Sequence, residues 1–136
     1  MFFNFFPKYN SLCSTSIIWD PHLRELFLPL LNNKTVYICN NLIQDTISNN
    51  VEWINGTPRC LEKIELPTNI KLITTSGSKI TKKYWNNIKH INEIWSFYGP
   101  TECFNVSSCN KLTKYKTTLG FPFPNYNMYI TKNNKL

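Results

Sequence analysis

At 136 residues, 42% of them hydrophobic and 15% aromatic, the chain has the material for one packed domain and is too apolar for a disordered one. Its formal charge of +7 comes from 15 basic residues, mostly lysines scattered among asparagines, so no basic stripe marks a nucleic-acid surface, and no apolar run reaches the ~18 residues of a membrane span. Five cysteines, with neither a C-x-x-C pair nor a histidine at metal spacing, argue against a zinc site and for free thiols in a reducing cytoplasm.

The start, Met1-Phe2-Phe3-Asn4-Phe5-Phe6-Pro7, is apolar but lacks the basic flank of a signal peptide. Leu23, Leu26, Phe27, Leu30 and Leu31 then fall on one face of a helix that opens directly after Asp20-Pro21. Asp20 is placed to cap its free amides, Pro21 suits its first position, and Pro29 is expected to bend its end. Thr35-Val36-Tyr37-Ile38-Cys39 reads as a buried strand, and residues 51–54, 70–75 and 93–98 as further strands. Between them lie helix-sized stretches at 42–48, 58–65 and 81–89. Strands alternating with helices through short connections predict an α/β fold, a mostly parallel sheet with flanking helices. The tail offers little core: residues 111–118 are polar, Phe121-Pro122-Phe123-Pro124 is stiffened by proline, and 127–131 resembles one more strand.

Phe97-Tyr98-Gly99-Pro100-Thr101-Glu102 places a ring, a tight turn, a hydroxyl and a carboxylate within six residues. Leaving a strand end, such a turn suits a nucleotide and its metal ion, because open α/β sheets bind ligands at the carboxyl ends of their strands. An ordinary strand end followed by a Gly-Pro turn has the same letters.

Three blocks in order carry a resemblance: residues 19–31, beginning Trp19-Asp20-Pro21-His22-Leu23-Arg24-Glu25-Leu26-Phe27; Thr74-Thr75-Ser76-Gly77-Ser78; and Tyr98-Gly99-Pro100-Thr101-Glu102. Together they resemble the adenylation (AMP-binding) domains of nonribosomal peptide synthetases, in the acyl-adenylate-forming superfamily. The similarity spans residues from about 10 to 131, so residues 1–136 are expected to form a single partial domain, an incomplete piece of the large N-terminal subdomain, with an apolar start of unclear role.

The resemblance implies activation of a carboxylate by ATP to an acyl adenylate, followed by transfer to the phosphopantetheine thiol of a carrier domain. Glu102 would hold Mg2+ and Thr101 would meet phosphate, as the catalytic pair. Ser76, Gly77, Ser78, Tyr98, Gly99, Pro100 and Thr101 would surround AMP or ATP. Asp20 would pair with the ammonium group of an amino-acid substrate; Pro21, Arg24, Asn55, Thr74, Ser76, Phe97, Asn105 and Val106 would approach its side chain. Arg24 would hint at a polar or acidic side chain, although a solvated helix charge is an equal reading. His22, where the family usually has a small residue, and Trp19, in place of its Phe, depart from the pattern.

The family's Ser/Thr/Gly-rich phosphate loop is not found in residues 1–19, and its hinge and catalytic-lysine domain are not found after the last block, so the chain alone is expected to be inactive, with open sheet edges and exposed apolar faces. Its expected partners are the amino acid, the remaining parts of the domain and a peptidyl carrier domain, with no nucleic acid and no membrane. Two alternatives stay open: a non-catalytic adenine-nucleotide-binding or interaction module derived from this fold, and a remnant of a fatty or aryl acid CoA ligase. Asp20 argues against the second, because such acids have no ammonium to pair.

Overall fold

A computed structural model describes residues 8–103, 106–116, 118–130 and 132 of the chain; most of the apolar start lies outside them. The elements in chain order are β1 (Ser11–Cys13), α1 (Pro21–Leu31), β2 (Val36–Ile38), β3 (Trp53–Gly56), α2 (Pro58–Leu61), β4 (Leu72–Thr75), α3 (Lys82–Ile88), β5 (Glu93–Tyr98), β6 (Ser108–Lys111) and β7 (Phe121–Pro122). The strands join into one sheet in the order β2-β1-β3-β4-β5-β6-β7. The pairs from β2 through β5 are parallel, and β6 and β7 return antiparallel.

The α/β, mostly parallel sheet expected from the alternation is therefore present, and its register explains the two-sided core. Ile54, Ile73 and Ile94 stand side by side across β3, β4 and β5, and with Leu12 they pack against Leu61, Ile80, Tyr84 and Ile88 from the α2 and α3 side. Residues one step along each strand point the other way. Trp53, Leu72 and Phe97 thus meet Leu28 of α1, together with Val106, Cys109 and Phe123. Helix starts follow local chemistry: the Thr81 hydroxyl accepts from the Tyr84 amide at 3.0 Å, and the Thr57 hydroxyl from the Cys60 amide at 3.3 Å.

Several expectations need correction. The stripe Leu23, Leu26, Phe27, Leu30, Leu31 does lie on one face of α1, but that face turns outward, with Leu23 43% and Phe27 50% exposed. The buried face is Arg24, Glu25, Leu28 and Pro29, because hydrogen bonds to Glu25 and the seat of Leu28 on the sheet set the rotation of the helix. Asp20 does not cap α1: its backbone is itself helical and its side chain makes no capping bond. A preceding turn serves the first amides instead, His22 donating to the Trp19 carbonyl and Leu23 to that of Asp20.

Residues 42–48 form turns and coil, not a helix, drawn in by Asp45, whose carboxylate accepts from the amides of Asn40 and Asn41. The β2 run is not buried; among the described residues it pairs only with β1, and Ile38 is 69% exposed. The stretch 127–130 is irregular, and Thr131 lies outside the described residues. The tail, expected to add little core, supplies the buried side chains Leu112 and Phe123. Among the described residues no helix is long and apolar enough to cross a membrane.

Candidate functional site

The parallel register brings the carboxyl ends of β4 and β5 to one end of the sheet, where a crevice of about 550 Å³ opens. Gly77, Ser78, Tyr98, Gly99 and Pro100 line it, so the expected adenine-loop residues and the Tyr-Gly-Pro turn do come together. Ser76 is partly buried at the end of β4, and Gly77 has a φ of +80°, a conformation that glycine adopts without strain. Tyr98 is half-exposed on the crevice wall.

The turn after β5 is braced by the tail. The Tyr98 carbonyl accepts from the Ser107 amide at 2.9 Å and from its hydroxyl at 3.1 Å; the Tyr126 hydroxyl donates to the Cys103 carbonyl at 2.7 Å. Residues 101–103 form a 3-10 turn with Glu102 exposed and free of ion pairs with described residues. The side chain of Thr101 and all of Asn105 lie outside the described residues.

On the α1 side of the sheet lie Arg24, Asn55, Thr74, Phe97 and Val106, all buried. A hydrogen-bonded chain runs through two of them, Asn55 and Thr74. Trp53 Nε1 donates to Thr74 Oγ1 at 3.0 Å, Thr74 Oγ1 donates to Asn55 Oδ1 at 2.9 Å, and Asn55 Nδ2 donates to Glu25 Oε1 at 2.7 Å. Glu25 also accepts from the amides of Ser14 and Thr15, at 2.8 and 2.9 Å, and from the Thr15 hydroxyl. The carboxylate is fully buried, and these donors keep it tolerable there. Pro29 has no amide hydrogen for the Glu25 carbonyl, and the buried Ser11 hydroxyl donates to it at 2.7 Å instead.

Arg24 lies beside this chain with its guanidinium 4.9 Å from the Phe97 ring centroid. Burial pulls its pKa down to about 10, against the opposing charges of Glu25 and Asp20. It is not a solvated helix charge. Asp20 and Pro21 stand partly buried at the start of the same helix. His22 is held through Nδ1, 2.7 Å from the Thr15 carbonyl. Burial, and then Glu25, push the Cys13 thiol up to about 11, and all five cysteines are free.

Sequence reasoning missed Glu25 as an organiser, although the single acidic residue within a largely apolar helix was a usable signal. It also missed Lys79 and Lys116, which bring positive charge to the crevice wall from the approach to α3 and from the tail. Nothing local links Lys116 to residues 77–100; only the antiparallel return of β6 and β7 carries it there.

A mostly parallel sheet with helices on both faces and a crevice at its strand ends is an open α/β architecture, in which ligands generally bind at that end. No protein-family model matches the chain. The nonribosomal peptide synthetase cm3A of Cordyceps militaris is 35% identical over 79 residues, 55% of this chain and 2% of that protein. A linear gramicidin synthase of Brevibacillus parabrevis is 23% identical over 132 residues, 88% of this chain and 3% of its own length. The chain thus spans only 2–3% of the length of these curated relatives.

Among solved structures, the nonribosomal peptide synthetase FmoA3 superposes with a TM-score of 0.72 at 18% identity, over 90% of this chain and 16% of that one. The Vibrio cholerae adenylation domain AlmE, in complex with glycyl-adenosine-5'-phosphate, gives 0.67 at 12% identity, over 83% and 25%. The Klebsiella oxytoca NpsA N-terminal subdomain, in complex with 3-hydroxybenzoyl-AMSN, gives 0.65 at 18%, over 84% and 33%. The relatives are nonribosomal peptide synthetases, the structural neighbours are adenylation domains, and this chain has the fold of a part of them.

Proposed function

We propose that the chain forms the adenine-side and acyl-side walls of an adenylation domain that activates an amino acid with ATP for transfer to a carrier-domain thiol in the cytoplasm. The observation that carries this reading is the crevice in which Gly77 and Ser78 face Tyr98, Gly99 and Pro100. Its volume suits a nucleoside, Tyr98 offers a ring for the base, and the glycine turn lets backbone approach it. AlmE and NpsA, complexed with an adenylate and an AMSN compound, support the choice of ligand. An adenylation protein with a PCP domain, PA1221, supports a carrier domain as partner.

Glu102 fits one oxygen ligand of Mg2+: it is exposed on the turn beside the crevice and committed to no described ion pair. The ion, when bound, would neutralise phosphate charge. Thr101 is assigned a phosphate contact and Asn105 a place in the acyl pocket. Asp20, released from capping α1, is the counter-charge for the substrate ammonium, which favours an amino acid over a fatty or aryl acid.

The 136-residue chain should bind AMP. Calorimetric titration with AMP tests the reading. Tyr98→Ala should weaken binding about tenfold, as expected for loss of a stacked ring. AMP affinity equal in the variant and the parent, or no AMP binding at all, would refute it.

A further inference from the structure

Arg24 is 6% exposed, and its Nε, Nη1 and Nη2 have no hydrogen-bond partner among the described residues. The two acids whose charges act on it do not serve it. Glu25 is occupied by its own donors, and neither Glu25 nor Asp20 forms an ion pair with the guanidinium. The Phe97 face gives a cation–π contact, but a ring does not replace the hydration that a buried guanidinium has lost. Asn55 and Thr74, on the same face, are bonded to Glu25, Trp53 and each other. Arg24 is left as a cation awaiting an anion.

We propose that Arg24 receives a second carboxylate on the substrate, so that the site takes an amino dicarboxylic acid with its ammonium at Asp20 and its side-chain carboxylate at Arg24. The inference rests on the adenylation reading above and narrows it to a substrate class. A planar guanidinium offers a fork of donors that matches a carboxylate bidentately. A nucleotide phosphate is the other anion at hand, but Arg24 does not line the nucleotide crevice; Phe97, over which it lies, does. Because the guanidinium nitrogens are enclosed, the Arg24 or Phe97 side chain must turn to admit the ligand, and that movement is part of the proposal.

The test uses the 136-residue chain, titrated separately with L-glutamate, L-aspartate, L-glutamine and AMP, and the variants Arg24→Met and Arg24→Lys. One of the two acidic amino acids should bind at least tenfold more tightly than glutamine. Arg24→Met should abolish that preference and leave AMP affinity within twofold, and Arg24→Lys, which keeps charge but not the fork, should reduce it. The ligand-free Tm of Arg24→Met should equal or exceed that of the parent, because an unpaired buried charge gives way to an apolar chain. Glutamine bound as well as the acids, a preference that survives Arg24→Met, or a lowered Tm or failure to fold in that variant would each overturn the proposal. AMP binding without any acid preference would sink it alone; loss of AMP binding in the parent as well would sink the adenylation reading with it.

Discussion

Replacing Glu25, by glutamine and separately by alanine, asks whether one buried carboxylate holds the acyl-side wall together. Its Oε2 accepts two backbone amides and its Oε1 accepts Asn55 Nδ2 and the Thr15 hydroxyl. Glutamine keeps the shape but has one acceptor oxygen. With that oxygen toward Ser14 and Thr15, its NH2 faces the NH2 of Asn55, and relief requires Asn55 to flip and give up the Thr74 hydroxyl. One unmatched donor pair predicts a loss of about 1–3 kcal/mol. Alanine strands the Asn55 amide and two backbone amides together; removing the buried charge offsets part of this, and the expected loss is about 3–5 kcal/mol. Urea unfolding followed by tryptophan fluorescence measures both, since Trp53 and Trp95 lie in or against the core on this face. A Glu25→Ala midpoint equivalent to less than about 0.5 kcal/mol of destabilisation, the range of ordinary surface changes, would refute the hub.

The outward rotation of α1 is checked by comparing Leu28→Ala, expected to cost about 2–5 kcal/mol, with Leu23→Ala and Phe27→Ala, each expected to cost under about 1; equal costs would mean that the helix is turned the other way. Gly120→Ala should disrupt the β6–β7 return, because φ is +80° and an added Cβ would stand 2.1 Å from the Cys109 carbonyl oxygen; unchanged Tm would contradict that geometry. Glu52 has its pKa lowered, first by its hydrogen bond from Lys71 at 2.5 Å. The stability it contributes is present above the ordinary glutamate pKa of about 4.3 and lost as pH falls through the lower folded-state value, so Lys71→Met should flatten the acid side of the stability curve; an unchanged profile would show the pair to be inert.

Much of the frame was legible along the chain. Residues 93–98 are a strand over the expected span, the helix-sized stretch at 81–89 holds α3 (Lys82–Ile88), and the Gly77 and Tyr98 segments lie at strand ends as the alternation required. Such features depend on neighbours within a few residues, where backbone geometry and turn chemistry act directly. The order of three short motifs was enough to point to adenylation domains; two of them lie at the ends of β4 and β5, and the other forms α1.

Tertiary structure decided the rest. Periodicity located the apolar stripe of α1 but not its direction: the opposite stripe faces the sheet, where Asn55 and the amides of Ser14 and Thr15 hold Glu25. Asp20 had the sequence of a cap and lost that role to a preceding turn. A proline-rich tail with few apolar residues in a row became core by delivering Phe123 and Leu112 singly to the sheet. Arg24 read equally as a solvated charge or a pocket residue, and only the packing around Phe97 enclosed it. Local letters fix the period of each element; which face is buried and which donors meet depend on partners distant in sequence, and these the fold alone brings together.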